Sequence, residues 1–389
     1  MHKNIPVVEF ELDVELGNIS RIGNIFDYRH MPIGIEALDG KIPRKALNDW
    51  WVGRAIPVNR DGVKDVLQAL DEYYPSILAA KCYGLSLSDQ YWINPVGIGL
   101  KWKDVNFFEN DFSEDMGVML FGNIPEDMSS VSLISPDNTA DGVLRKKWII
   151  VNKKRVLMKG ASNKDYKQEP FNEVIASALM RRLKISHVNY TLTFNKGRPY
   201  SLCDNFVTPN TELIPAWRVY KLIQKDIVDA KFMHMLDCCE KAGIVNIRHS
   251  LEQMLILDYI IMNEDRHFNN FGFIRDADTL EWKGFAPIFD SGSSLWYNTK
   301  FVGREERSRP FMFSHDEQLS LVSDLNWFDY KAFDGIEEEC VKILVRSTDI
   351  DTERSEQLVK AIVSRCKNVE KRKQWLNACK KEESDDEKA

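Results

Sequence analysis

The chain has 389 residues, of which 44% are hydrophobic, 11% aromatic and 29% charged. These values are typical of a soluble globular protein, and a chain of this length exceeds one compact core, so two or three lobes are expected. The formal net charge of −7 disfavours direct binding to the phosphate backbone of nucleic acids.

The cysteines and the apolar runs restrict the cellular context. Seven cysteines are scattered, apart from the pair Cys238 and Cys239, and no CxxC spacing occurs. Reduced thiols are therefore expected, without a zinc site or a disulfide framework. The first ten residues carry Glu9 and lack the apolar run of a signal peptide. The apolar stretch Met254–Met262 contains Asp258 and is too short to span a membrane, so a cytoplasmic protein without membrane contact is predicted.

Residues 1–130 show mixed patterns. Apolar and polar residues alternate from Val7 to Leu16, which predicts a strand, and the apolar face of Asp61–Tyr73 predicts a helix. No chemical motif occurs in this part of the chain. The sequence therefore predicts a separate N-terminal domain with a structural or partner-binding role.

Residues 131–210 resemble a small β-rich lobe. Two strands joined by the turn Asn152–Lys154 come first, then a helix that opens at Pro170, and then two further strands. The four predicted strands are Trp148–Val151, Arg155–Lys159, Asn189–Phe194 and Tyr200–Phe206.

After Pro215 the patterns become mostly helical, so residues 211–380 are predicted as a larger helical lobe. An amphipathic helix within Asp351–Lys380 would close it, and the charged residues 381–389 are predicted to be a disordered acidic tail. A small β-rich lobe followed by a larger helical one is an α+β arrangement and is the layout of two-lobed kinases.

The chemistry concentrates in two segments, the Asp265 loop (Asp265–Asn270) and the Asp290 segment (Ile288–Gly292). Phosphoryl transfer needs a carboxylate that orients the attacking hydroxyl and hard oxygen ligands for magnesium. In protein kinases an Asn follows the catalytic Asp by five residues, as Asn270 follows Asp265 here. The sequence therefore predicts Asp265 as the base, with Asn270 and Asp290 as magnesium ligands.

Two further residues of the Asp265 loop have predicted roles. His267 is expected to contact a phosphate or the nucleotide, because it lies inside the loop. Arg266 is expected to pair with a carboxylate and brace the loop.

Upstream, Lys159 ends a predicted strand and Glu173 lies on the helix that follows. Kinases place such a lysine on the nucleotide phosphates and hold it with a helix glutamate. The order of these residues before the Asp265 loop therefore predicts that Lys159 binds phosphate and that Glu173 supports it.

A polar loop (residues 135–146) precedes that strand and contains Ser135–Gly142, whose backbone N–H groups are suited to cover phosphates. The GxxxxGK[ST] pattern is absent, so it is not a P-loop. The basic runs Arg145–Lys147 and Lys153–Arg155 would hold a phosphorylated ligand if they clustered, but solvated strand ends around a hairpin are the expected arrangement.

The sequence resembles the HipA-like serine/threonine kinases over roughly residues 131–300. The matching features are the polar loop from Thr139 to Lys146, Lys159, Glu173, Leu202–Phe206, the Asp265 loop and Asp290. The resemblance implies an ATP- and Mg²⁺-dependent protein kinase, a two-lobed kinase fold with a HipA-like N-terminal domain, and a protein substrate with Ser or Thr acceptors. It also implies a toxin role beside a DNA-binding antitoxin partner.

The resemblance also implies roles for individual residues. Asp265 is the catalytic residue, Asn270 and Asp290 bind magnesium, and Lys159 and His267 contact the nucleotide. The backbone of Cys203, Asn205 and Phe206 is the hinge that holds adenine, and Gly142 belongs to the nucleotide loop. Thr139 aligns with a position that is autophosphorylated in such kinases, and Ser135 is the nearest other hydroxyl.

Three alternatives remain open. Many HipA relatives have Asp-Gly-His where this chain has Asp265-Arg266-His267, a form that is similar to phosphoinositide kinases. A lipid or small-molecule kinase on the same core is therefore one alternative. A nucleotide-binding pseudokinase and a transfer of AMP instead of phosphate are the others.

Overall fold

The computed structural model describes residues 1–36, 40–162, 164–224 and 230–386, with side chains described as far as residue 382. The chain forms two compact units. The first contains Met1–Lys159, Leu202–Ile214 and Ile274–Lys283, and the second contains Gly160–Ser201, Pro215–Phe273 and Gly284–Ala389. Residues 1–130 thus share a unit with the strands that follow them, and no unit boundary falls near residue 130.

In its described residues, the first unit contains two antiparallel hairpins and five short α-helices. Their bounds are β1 (Val8–Asp13), β2 (Asn18–Ile25), α1 (Arg44–Val52), α2 (Val63–Ala69), α3 (Pro75–Lys81), α4 (Trp102–Val105), α5 (Asp115–Leu120), β3 (Lys146–Val151) and β4 (Lys154–Lys159). β1 pairs with β2, and β3 pairs with β4 in an unbroken register from Lys146 opposite Lys159 to Val151 opposite Lys154.

Three apolar clusters form the core of the first unit. One centres on Ile19, Leu47 and Trp51 beneath the β1–β2 hairpin. A second, around Val66 and Met119, joins α2 to α5. The third is aromatic, and its buried members include Trp92, Trp102, Phe107, Phe108 and Trp148.

The second unit is mostly helical. The remaining elements of the chain are α6 (Glu169–Arg182), β5 (Thr191–Asn195), β6 (Arg198–Asp204), β7 (Thr211–Pro215), α7 (Ala216–Tyr220), α8 (Lys231–Lys241), α9 (Arg248–Ile261), β8 (Gly272–Asp276), β9 (Trp282–Phe285), α10 (His315–Ser320), α11 (Ile336–Leu344) and α12 (Thr352–Asp386). The last residues of β6 and most of β7 and β8 belong to the first unit.

Helix α9 forms the centre of the second unit. It is buried on all sides from Leu251 to Ile261, and it packs against α6, α10 and α12. A helix that is apolar on every face must be covered by other elements, and these three helices provide that cover. The loop that follows α9 is therefore held on a rigid support.

The predicted elements are found with shifted ends. The strand expected from Val7 to Leu16 ends at Asp13, because the Asp13 carboxylate accepts the Glu15 and Leu16 N–H groups and turns the chain. The helix expected over Asp61–Tyr73 is limited to α2, since Gly62 before it and Asp71 after it both have positive φ.

The two strands around residue 152 are confirmed, and Asn152 and Lys153 both have positive φ, as a two-residue hairpin turn requires. At the C-terminus α12 continues through Asp386, where the composition predicted disorder from residue 381. Lys381 and Glu382 are exposed, and long charged residues of this kind favour a helix. Residues 387–389 lie outside the described part of the chain.

The cysteines and the described helices relate to two further predictions. All seven cysteines lie in described parts of the chain and are free. Among the helices that are described, none combines the length and the apolar character that crossing a bilayer requires.

Candidate active site

The Asp265 loop begins where α9 ends. Met262 takes a left-handed conformation with φ 51°, which stops the helix. Asn263 then returns to the helix: its N–H donates to the Asp258 carbonyl at 3.0 Å and its Nδ2 donates to Asp258 Oδ1 at 2.8 Å. The Asn263 side-chain oxygen accepts the Asp265 N–H at 3.1 Å. The backbone of Asp265 is therefore fixed by the last turn of α9.

Arg266 is fully buried and braces the loop from inside. Its Nε and Nη2 bind the Asp258 carboxylate at 2.9 and 3.0 Å, which confirms the predicted pairing with a carboxylate. Its Nη1 donates to the carbonyls of Asn270 and Phe289, and Nη2 also binds Ser291 Oγ at 3.1 Å. One guanidinium thus ties α9, the Asp265 loop and the Asp290 segment together.

The two predicted metal ligands are held by their own backbone and by neighbours. Asn270 Nδ2 donates to the Asp265 carbonyl at 2.8 Å, which makes the amide oxygen the atom that can face a cation. Asp290 comes two residues after Ile288, which forms a single bridge to His187. Asp290 has φ 57°, a left-handed conformation that Asp tolerates, and its N–H donates to the Tyr190 hydroxyl at 3.3 Å.

Glu173, predicted to support the strand lysine, is buried in α6 beside the Asp290 segment. Its Oε2 accepts the Ser291 N–H at 2.9 Å. A carboxylate that accepts a buried backbone N–H fixes that peptide. Glu173 therefore orients the residue directly after Asp290. Its predicted support of Lys159 remains a prediction.

Charged groups surround the Asp265 carboxyl. Arg309 Nη1 donates to Oδ1 at 3.0 Å, and His267 Nε2 lies 3.8 Å from Oδ2. Burial raises the pKa of Asp265 and the charge of Asp290 raises it further, whereas His267, Arg309 and Arg266 lower it; the net direction is upward. A carboxylate with a raised pKa is a better proton acceptor, as general-base catalysis requires.

His267 is part-exposed at the same place. Its Nδ1 accepts the Asn269 N–H at 3.2 Å, so the proton of the neutral ring is on Nε2. Nε2 is the nitrogen that faces Asp265. The ring therefore presents a donor on the side of the Asp265 carboxyl, which suits a phosphate oxygen.

The donor set fits a hard divalent cation. Asp290 offers carboxylate oxygens and Asn270 an amide oxygen, and magnesium prefers oxygen ligands of this kind. The negative charge of Asp290 contributes to the raised pKa of Asp265. A bound cation would reduce this repulsion between the two carboxylates. Within the described residues no group of three or more His, Cys, Asp or Glu side chains could hold a metal, so a thiolate or imidazole site is not found there.

The remaining predicted site residues lie in the first unit. Lys159 is buried at the end of β4. In the predicted hinge, Cys203 is buried and Phe206 packs against the aromatic cluster. The Asn205 N–H donates to the Arg155 carbonyl at 2.8 Å, so an adenine would rely on the other backbone groups of this segment.

Thr139 is buried in the polar loop. Its hydroxyl donates to the Leu85 carbonyl at 2.7 Å and lies 3.2 Å from the Pro136 carbonyl. The Asp141–Gly142 turn is closed by the Asp141 side chain instead of by Thr139. Modification of Thr139 therefore requires the loop to open first, and its predicted autophosphorylation, like that of the buried Ser135, remains a prediction.

The basic runs do not form one cluster. Arg145 lies 3.6 Å from Asp61, Lys147 pairs with Glu114, and Lys154 pairs with Asp204. The two runs are thus separate, as expected, but the expected solvation holds only in part, because Lys154 is exposed whereas Lys147 is 16% exposed and Lys146 is buried.

The site also contains residues that the sequence reasoning did not assign. Arg309 is 44 positions from Asp265 and belongs to no recognisable motif. The position of Asp258 could have indicated a buried ion pair, because a carboxylate inside an otherwise apolar helix needs a buried partner. Nothing in the sequence around Tyr190 indicated its contact with Asp290.

Comparisons with known proteins found the following similarities. The serine/threonine-protein kinase CtkA of Helicobacter pylori (strain J99 / ATCC 700824) is 25% identical over 132 residues, which are 32% of this chain and 40% of CtkA. The chain thus matches less than half the length of this relative. The crystal structure of CtkA has a TM-score of 0.45 at 16% identity and covers 60% of this chain and 95% of its own.

A chain of the Shewanella oneidensis MR-1 toxin–antitoxin complex of HipA, HipB and operator DNA superposes with a TM-score of 0.56 at 12% identity. The match covers 96% of this chain and 98% of that one. No protein-family model matches the sequence. The chain therefore has the HipA-like, kinase-related α+β fold that the sequence predicted.

Proposed function

We propose that this chain is a HipA-like serine/threonine protein kinase. It transfers the γ-phosphoryl group of ATP to a Ser or Thr hydroxyl, which yields ADP and a phosphoester. The observation that carries the proposal is the Arg266 brace, which holds the Asp265 loop and the Asp290 segment together. A buried arginine with this many partners is expected where loop geometry must be exact to fractions of an ångström.

Asp265 orients the acceptor hydroxyl and takes up its proton as the oxygen attacks the γ-phosphorus. Arg309 holds Oδ1, so the carboxylate keeps one rotamer, and Oδ2 is on the side of His267. His267 donates from Nε2 to a phosphate oxygen. Lys159 binds the nucleotide phosphates, and the backbone of residues 203–206 holds adenine.

Asn270 and Asp290 would hold magnesium, which would supply charge neutralisation to the nucleotide phosphates. The chain's contribution is to present the Asn270 amide oxygen and the Asp290 carboxylate from two segments that Arg266 connects.

The buried position of Arg266 bears on the acceptor. The Asp-Arg-His form of the Asp265 loop is the feature that is similar to phosphoinositide kinases. Arg266 is fully buried and its partners are intramolecular, so it does not present its guanidinium to an acceptor. This weakens the argument for a lipid acceptor and favours a protein acceptor.

The test uses two labelled nucleotides. The purified chain is incubated with magnesium, a cell lysate and either γ-labelled or α-labelled ATP, and the labelled species are identified by mass spectrometry. Label from γ-ATP on Ser or Thr of a protein supports the proposal. Label from α-ATP indicates AMP transfer, label on a lipid or small molecule indicates the alternative kinase, and nucleotide binding without any transfer indicates a pseudokinase.

Asp290→Ala should weaken binding of Mg-ATP by at least about tenfold, since loss even of outer-shell metal partners costs about 10–100-fold. Binding of metal-free ATP should change much less. Calorimetric titrations with magnesium and with a chelator measure both. Asp278→Ala, which removes an exposed carboxylate paired with Lys3, is the control. Equal losses in both titrations would show that Asp290 is not a ligand.

We propose further that this kinase acts in the cytoplasm beside a DNA-binding antitoxin, as a toxin. The support is the fold similarity to the complex in which HipA was solved with HipB and operator DNA. The net charge of −7 favours DNA contact through the partner instead of through this chain.

The pure protein should therefore not retard duplex DNA in a gel-shift assay at any salt concentration, with a basic DNA-binding protein as the positive control. A shift that weakens as salt rises would contradict this expectation, because it would reveal phosphate contacts made by the chain itself.

A further inference from the structure

The polar loop is bound to the N-terminal segment 56–61. The Ile56 N–H donates to the Asn138 carbonyl at 2.9 Å. Arg60 Nε donates to the Gly142 carbonyl at 2.8 Å, and Nη2 donates to the Ala140 carbonyl. Three successive contacts thus join a region without any chemical motif to the loop that the sequence analysis singled out.

Arg60 is dedicated to this loop. The residue is 2% exposed, and the side-chain hydrogen bonds it makes within the described residues all go to the loop carbonyls. Its Nη1 has no partner among those residues. Burial lowers the pKa of the guanidinium to about 10, so it still carries its charge at neutral pH. A buried charge whose only hydrogen bonds go to one loop is expensive to retain unless that loop must be held.

The backbone around Arg60 is shaped to allow this contact. Gly62 has φ 87°, and a Cβ there would lie 2.5 Å from the Leu120 carbonyl oxygen. Only glycine allows the chain to turn this close to α5. The Arg60 N–H and carbonyl are both engaged in the same turn, with Pro57 and Val63. Arg60 is therefore presented from a rigid turn.

We propose that Arg60 is a positioning residue for nucleotide binding, which clamps the polar loop by its Ala140 and Gly142 carbonyls. The inference rests on the proposed function, in which this loop covers the phosphates of ATP. If the loop is already ordered before ATP binds, ordering it does not reduce the affinity for ATP. If the loop is ordered in only a fraction of the molecules, the apparent affinity for ATP is the intrinsic affinity multiplied by that fraction. Arg60 keeps the ordered fraction close to one.

The test compares Arg60→Leu and Arg60→Lys in the full chain with Arg54→Leu. Arg54 is the matched control, because it is a buried arginine of the same unit and its side chain binds the Gly84 and Tyr91 carbonyls and Asp89, none of which belongs to the polar loop. Two quantities are measured: hydrogen exchange of peptide 135–146 without nucleotide, and the kinetic constants for ATP.

Arg60→Leu should raise the exchange rate of this peptide and the KM for ATP about tenfold each, because it removes two hydrogen bonds from a charged donor. The kcat should stay within about twofold, since Arg60 does not touch the reacting atoms. In Arg60→Lys the exchange rate and the KM for ATP should lie between those of the wild type and of Arg60→Leu, because one ammonium can still reach a carbonyl. Arg54→Leu should lower the melting temperature without raising the exchange rate of this peptide or the KM for ATP.

The inference is overturned if Arg60→Leu loses thermal stability like Arg54→Leu but leaves either the exchange rate or the KM at the wild-type value. Failure of the proposed function looks different. In that case the wild-type chain neither binds ATP nor transfers phosphate, while the nucleotide-free exchange measurement still reports whether Arg60 orders the loop.

Discussion

Asp265→Asn is expected to lower kcat about 10²–10⁴-fold, the range typical for the loss of a general base. The amide cannot accept the hydroxyl proton, but its oxygen can still accept the Arg309 hydrogen bond that the Asp265 carboxylate accepts at 3.0 Å. The loop should therefore keep its shape, and affinity for Mg-ATP should change little. The measurement is the initial rate of phosphate transfer from labelled ATP, beside a calorimetric titration with Mg-ATP.

Two controls separate chemistry from folding. Asp278→Asn changes an exposed carboxylate that pairs with Lys3, and it should transfer phosphate at the wild-type rate. The melting temperature of Asp265→Asn should lie close to that of the wild type. If the variant transfers phosphate within about threefold of the wild type, Asp265 is not the base, since such a change is far below the effect of losing one.

Arg266→Met should produce the largest loss of stability, about 3–5 kcal/mol in the free energy of unfolding. The substitution leaves the Asp258 carboxylate, which is 1% exposed, without its cation. It also removes the donors to the Asn270 and Phe289 carbonyls. Denaturant titration gives the midpoint and the slope from which this free energy is obtained.

A double variant tests the cause of that loss. Asp258→Leu combined with Arg266→Met removes both charges, and most of the lost stability should return, because no unpaired charge remains buried. Phosphate transfer should not return, since the Asn270 and Phe289 carbonyls stay without their donor. Arg21→Met, at an exposed pair with Glu11, should have no measurable effect on stability. A double variant as unstable as the single one would contradict this account.

Short-range patterns predicted much of the site. The spacing of Asp265 and Asn270 within one loop, the apolar run that supports the loop and the hairpin at residue 152 all depend on residues close in sequence. Helix periodicity, turn residues and loop spacing act over a few positions, so they can be read directly. The pairing of Arg266 with a carboxylate was also predicted in kind, because an arginine inside such a loop can brace it through a charge-assisted hydrogen bond.

The partners that hold the site were not predictable from spacing. Arg309 reaches Asp265 over 44 positions, Glu173 reaches the Ser291 N–H over 118, and Arg60 reaches the Ala140 carbonyl over 80. None of these contacts can be recognised from a pattern in the nearby sequence, because many other residues carry groups that could make the same hydrogen bond. Which one does so depends on how helices and loops pack.

The sequence by itself therefore determined the chemical groups and their order along the chain: a candidate base, two oxygen ligands, a strand lysine and a polar loop. The Asp265 loop and the Asp290 segment could be read because each is at most six residues long and local backbone geometry enforces its spacing, whereas Lys159 was assigned from its order in the chain. Only the tertiary structure decided how they are held. Burial of Arg266, of Glu173 and of Arg60 is created by packing between segments far apart in the chain, and an uncompensated charge becomes costly only once water is excluded.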